Sequence, residues 1–126
     1  MDKLFLVALG GGVGATARYL LGVASLHRFG MSWPVGTFIA NVAGGLLMGL
    51  LVGWLALRGG ADQERLRLLL GVGLLGGFTT FSAFSLETVL MIERRAYGEA
   101  LGYVLVSVVL SIAALFAGLI LMRRFA

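Results

Sequence analysis

The longest run without a charged side chain, residues 29–57, is the feature that most restricts how this chain folds. Similar runs follow at 68–86 and 100–122, and a fourth begins at Leu4, interrupted only by Arg18 before Arg28. Crossing a bilayer as a helix takes about 20 mostly apolar residues. The spacing therefore predicts four transmembrane helices, at about 4–26, 34–57, 67–91 and 100–122. They consume nearly the whole chain, so residues 1–126 read as a single four-helix transmembrane domain.

Composition agrees: 60% of the residues are hydrophobic, 13% are charged, and the mean hydropathy is +1.01. A soluble domain this small exposes too much of itself to water to hide that apolar surface. Cysteine is absent, which excludes a disulfide-stapled secreted fold. The connections are short, around Leu26–Trp33, Arg58–Arg65 and Ile92–Gly98, which makes sequential helices antiparallel neighbours. Pro34 sits where the second helix should begin, and Gly59-Gly60 where it should end. Two N-terminal look-alikes fail. Ala15-Thr16-Ala17 imitates a signal-peptide cleavage site, but Asp2 offsets Lys3 and the chain beyond is itself membrane-embedded. Gly12-x-Gly14-x-x-Ala17 fits a dinucleotide fingerprint but lacks the acid about 20 residues on.

The net charge of +4 is spread over membrane boundaries, which suits headgroup anchoring and not nucleic acid. With four crossings, one side holds Lys3, Arg58, Arg65, Arg67, Arg123 and Arg124, and the other Arg18, Arg28, Arg94 and Arg95. Six against four is a weak orientation bias under the positive-inside rule. It predicts insertion in both orientations and an antiparallel, dual-topology homodimer.

Twenty glycines are far above the usual share, roughly 7%. Nine of them recur every fourth residue, as Gly10/Gly14, Gly45/Gly49/Gly53, Gly73/Gly77 and Gly98/Gly102, a spacing that lets helices approach closely in lipid. The stretch Gly76-Gly77-Phe78-Thr79-Thr80-Phe81-Ser82 differs, because two glycines and a Thr/Ser run fall near mid-span. It predicts that the third helix is broken near its middle, with carbonyls free to coordinate a cation.

Polar groups inside spans are functional candidates. Asn41 lies mid-span with Thr37 one turn before it, and an interhelical hydrogen bond is the simpler reading of both. Tyr103, Ser107 and Ser111 form a hydroxyl stripe at i, i+4, i+8, as though lining a path. Phe81 and Phe84 are i, i+3 neighbours; their positive ring edges, with amide and hydroxyl donors, suit an anion. Glu87 is the only acid well inside an apolar run and Arg18 the only base; a buried pair and separate vestibule positions both fit. His27 is the only histidine, and no nucleophile–base pair or metal-ligand cluster exists, so an enzyme is not expected.

Together, Gly11-Gly12-Val13-Gly14-Ala15-Thr16-Ala17-Arg18-Tyr19, Gly36-Thr37-Phe38-x-x-Asn41, Gly76–Phe84 and the Tyr103/Ser107/Ser111 stripe resemble the signatures of the Fluc (CrcB) fluoride-specific ion channels. The resemblance covers all four helices. It implies an antiparallel homodimer in the cytoplasmic membrane that exports fluoride passively and confers fluoride resistance. By motif position, Asn41 would donate to fluoride, Phe81 and Phe84 would turn ring edges to it, and Tyr103, Ser107 and Ser111 would form the polar track. The carbonyls of Gly76 and Thr79 from both subunits would hold a structural Na⁺ that is not transported, and Arg18 would draw anions at the vestibule. The position of Phe78 varies in the family, and Ala83 replaces a common Thr. Two other classes compete. A small dual-topology proton-coupled or multidrug transporter needs an acid on its first helix, where none follows Asp2. A non-transporting membrane assembly protein gives no reason for Asn41 or the hydroxyl stripe.

Overall fold

The computed structural model describes residues 2–30 and 33–125. Met31 and Ser32, in the first connection, lie outside the described residues. Every element among the described residues is helical. Helix α1 runs Asp2–Phe29 and α2 runs Val35–Arg58, with Pro34 immediately before its first residue. The third span is composite. Its first part, α3 (63–78), begins as Gln63–Leu66, is wound as a π-helix over Arg67–Leu75, and closes with Gly76–Phe78. Helix α4 is Phe81–Glu93 and α5 is Tyr97–Phe125. Four stretches, Asp2–Phe29, Val35–Arg58, Gln63–Glu93 and Tyr97–Arg124, are long and apolar enough to cross a membrane. Each reaches a few residues beyond the boundaries read from charge spacing, except that α2 begins one residue later.

Sequential helices touch, as the short connections predict, but the most extensive packing joins non-sequential ones: α1 lies along α3, and α2 along α5. Glycine placement decides this, because in lipid the closest helix pairs are those whose backbones can touch. Side-chain methyls built at Gly10 or Gly14 would run into the carbonyls of Leu69 or Leu74, and one at Gly77 into Gly11. On the other pair, Gly45 faces the Ser111 carbonyl, Gly49 that of Leu115, and Gly118 the backbone of Leu46 and Leu50. For Gly98 and Gly102, no described residue of another helix lies within 4 Å of where their methyls would stand.

The ends are tied by charge. Arg58 grips Asp62 through two hydrogen bonds of 2.6 and 2.9 Å, which hold that carboxyl below the usual aspartate range. Gly59 and Gly60 take φ of 62° and 101° there, values that L side chains resist. Arg65 pairs with Asp2 at 2.9 Å and joins the start of α1 to α3. Few side chains are fully enclosed. The core is a small cluster of Phe84, Met91, Ala100 and Tyr103, with Trp33, Phe38 and Val104 against it. Long apolar faces, such as Leu101, Leu105, Val109 and Ile112 on α5, are left outward.

Candidate functional site: a groove beside a broken helix

The third span is interrupted at Thr79 and Thr80, whose backbones are extended (φ −87°, ψ 158° and φ −153°, ψ 125°). The two glycines keep helical geometry, and Gly77 serves the close approach to α1, so threonines, not glycines, form the break. The chemistry fits, because Ser and Thr hydroxyls offer the backbone an alternative to helical bonds. Thr79 Oγ1 donates to the Leu75 carbonyl at 2.9 Å, and Thr80 Oγ1 accepts from the Ala83 N–H at 3.1 Å as an N-cap for α4.

Asn41 on α2 secures the extended residues. Its Oδ1 accepts from the Thr80 N–H at 2.8 Å, and its Nδ2 donates to the Thr80 carbonyl at 3.0 Å. One Nδ2 hydrogen is thereby committed to the backbone, and the second is left for a further acceptor. Arg18 reaches the same region from α1: its Nε donates to the Gly77 carbonyl at 3.2 Å. That bond places a cation at the negative end of α3. No hydrogen bond from the described residues reaches the Gly76 or Thr79 carbonyl, so both oxygens keep their acceptor capacity. An oxygen-only donor set of this kind suits a hard cation.

Next to the break lies a groove of about 340 Å³, bordered by Asn41, Thr79, Phe81, Phe84, Ser107 and Ser111. The positive N-terminal end of α4 adjoins it through Phe81 and Phe84. Those two rings stand 5.7 Å apart between centroids, Phe84 enclosed at 8% exposure and Phe81 open at 77%. Ser107 is 4% exposed, and its Oγ has no hydrogen-bond partner among the described residues. A buried hydroxyl without a partner is costly.

The structure thus gathers Asn41, Thr79, Phe81, Phe84, Ser107 and Ser111 at one groove and leaves three residues of the expected set elsewhere. Tyr103 lies behind Phe84 (centroids 5.1 Å), also touches Trp33, and is fully buried. Its Oη donates to Glu87 Oε1 at 3.0 Å, while Thr37 Oγ1 donates to Glu87 Oε2 at 3.0 Å. Gly76 lies at the end of α3, which Arg18 reaches from α1, and neither lines the groove. Glu87 is paired with hydroxyls and not with Arg18, which resolves the two readings its sequence position allowed. Sequence reasoning missed the Glu87–Tyr103–Thr37 cluster. Its one local signal was an acid at 87 sixteen residues before a tyrosine, which specifies no contact.

The orphaned hydroxyl makes Ser107→Ala informative. The variant is expected to be more stable by about 1 kcal/mol, since an unpaired buried group is removed. Anion passage should fall at the same time. Thermal unfolding in detergent and efflux from liposomes measure the two; loss of both would make Ser107 merely structural.

The family model described as CrcB-like protein, Camphor Resistance (CrcB), matches residues 5–119. The chain is 67% identical over 124 residues to the "Fluoride-specific ion channel FluC" of Caulobacter sp. (strain K31), covering 98% of this chain and 97% of that one. Its identity to the protein of the same name from Phenylobacterium zucineum (strain HLK1) is 68% over 124 residues, 98% of both chains. The Hyphomonas neptunium (strain ATCC 15444) protein of that name is 48% identical over 124 residues, again 98% of both.

Proposed function

The chain belongs to the CrcB-like family, and from that premise we propose that it is a fluoride-selective channel and not an enzyme. The observation that carries this reading is the unpartnered Ser107 hydroxyl in a groove flanked by the spare Asn41 N–H and the Phe81 and Phe84 rings. Fluoride is small and tightly hydrated, so a path for it must replace water with donors and stay too narrow for larger anions. Ser107 and Ser111 hydroxyls, the Asn41 amide and the positive end of α4 supply donors; the ring edges of Phe81 and Phe84 supply weak positive potential. Tyr103 continues the hydroxyl stripe behind Phe84.

The working unit is two antiparallel copies inserted in both orientations, in the cytoplasmic membrane. Support comes from the six-to-four charge balance, the exposed Phe81 ring, and a groove open on one side. The Gly98/Gly102 face, without a neighbour among the described residues, offers a backbone-close contact for the second copy. At the pair's axis the Gly76 and Thr79 carbonyls of both copies would hold a structural Na⁺, which neutralises the converging oxygens and is not transported. Arg18 already satisfies the neighbouring Gly77 carbonyl and adds positive potential for anions entering the site. Fluoride that enters the cell as HF and dissociates would leave down its gradient, giving resistance.

Ion efflux from liposomes tests the proposal. Rapid fluoride loss without chloride loss is expected, and replacing Na⁺ on both sides by a large organic cation should slow it severalfold. Chloride efflux of similar size, or a requirement for a proton gradient, would overturn the channel reading. Indifference to Na⁺ would remove the central cation.

A further inference from the structure

A second cavity, of about 320 Å³, opens between the last turns of α1, the start of α2 and α4. Its walls are mostly apolar: Gly22, Leu26, Leu90 and Met91, with Trp33 beside them. Glu87, Leu90, Met91 and Arg94 follow one another at i, i+3, i+4, i+7, so one face of α4 forms a full side of the cleft. Glu87 therefore stands at one end and Arg94 at the other, about 10 Å apart along the helix.

The acid at the inner end has only neutral partners. Thr37 and Tyr103 hydroxyls each donate one hydrogen bond to it at 3.0 Å, and each oxygen keeps a lone pair. Glu87 takes part in none of the four ion pairs among the described residues, and Arg18 is spent on Gly77. Arg94, two turns away at the rim, faces Glu99 at 3.6 Å with half its side chain exposed. A carboxylate within an apolar cleft is stabilised by a cation brought to it.

We propose that this cleft binds amphiphilic primary ammonium ions. The –NH₃⁺ group, with three donors, bridges the free lone pairs of Glu87. The alkyl tail lies along Leu26, Leu90 and Met91, with Trp33 contributing apolar surface. Charge selects this occupant: the Glu87 end favours a cationic head over a carboxylate or a net-anionic phospholipid headgroup. The site is separate from the anion groove, which contains neither Glu87 nor Trp33.

The chain has two tryptophans, so Trp54→Phe leaves Trp33, in the cleft wall, as sole reporter. That variant, reconstituted in liposomes, is titrated with bromine-substituted octylammonium. Saturable quenching is expected, reversed by unlabelled octylammonium but not by octanol or octanoate. Glu87→Gln should weaken apparent affinity roughly tenfold or more. Gly22→Leu gives an independent check, because a side chain at Gly22 meets nothing within 4 Å at its root and fills the cleft. It should abolish the saturable phase. Equal quenching by brominated octanol would mean that the cleft is filled by apolar partition alone, and no quenching would mean that a second copy covers it; either overturns the proposal. So does unchanged affinity in both variants. Fluoride efflux from the same liposomes keeps the readings apart: efflux without saturable quenching rejects the cleft site alone, and quenching without efflux rejects the channel alone.

Discussion

Asn41→Ala is expected to reduce fluoride efflux from liposomes by about 100-fold or more, on the scale of 1.4 kcal/mol per factor of ten. Two losses act together. The Thr80 N–H and carbonyl, held at 2.8 and 3.0 Å, lose their partners inside the membrane, at about 1–3 kcal/mol for each group left unsatisfied. The extended residues then regain helical bonding as the cheaper state, and the groove loses the geometry in which Phe81 and Phe84 flank Ser107. The second loss is chemical, since the spare amide N–H goes as well. Asn41→Asp separates the two. It retains an acceptor for the Thr80 N–H but sets a carboxylate against the Thr80 carbonyl and the groove. Flux should be as low as in the alanine variant, while the protein remains better folded by thermal unfolding. Efflux within a few-fold of the parent in Asn41→Ala would remove this residue from both roles.

Gly14→Val should prevent assembly of the bundle. Even a single methyl at Gly14 would overlap the Leu74 carbonyl and press on the Phe78 N–H, both backbone atoms that no rotamer change moves. Overfilling a tight contact typically costs about 1–3 kcal/mol, and a branched side chain against backbone lies at the upper end or beyond. The damage falls next to the break, so α3 must shift as a unit. Gly12→Val, one face away with nothing within 4 Å, controls for the change of residue type. The measurement is the yield of monodisperse protein after detergent extraction, followed by thermal unfolding. Gly14→Val should give little or no monodisperse protein and Gly12→Val a near-parental amount; parity between them would show that the α1–α3 contact is looser than described.

Some of this architecture was legible in the sequence. Charges bracket the spans because an unpaired charge in hydrocarbon is expensive, so residues such as Arg28, Arg58 and Arg94 mark boundaries by themselves. The break was legible too, in the Thr79-Thr80 pair next to glycines, since local propensity is a local property. Its division of labour was not. The sequence marked the whole stretch from Gly76 to Ser82, whereas Gly76 and Gly77 stay helical and Gly77 lies against α1. Helix pairing was obscured for the same reason: short connections favour sequential neighbours, while glycine faces far apart in the chain decide which backbones meet. In the site, Asn41 and Ser107 stood out as polar residues mid-span, whereas their partners are long-range facts. Nothing near Asn41 indicates that it clasps Thr80, 39 residues on, or near Tyr103 that it faces Glu87.

The π-wound stretch Arg67–Leu75 has a bearing on how such a chain tolerates changes of length. In it the Gly76 N–H bonds back to the Gly71 carbonyl, five residues earlier. Winding of this kind packs surplus residues into a given axial length. In an ordinary α-helix, removing one residue swings everything beyond it through about 100°. A helix already carrying slack can instead relax toward α-geometry and leave the residues downstream facing as before. The Gly73/Gly77 face and the Thr79–Thr80 break, which both depend on their azimuth toward α1 and Asn41, are thereby insulated from single-residue deletions upstream. An insertion has no such reserve to draw on.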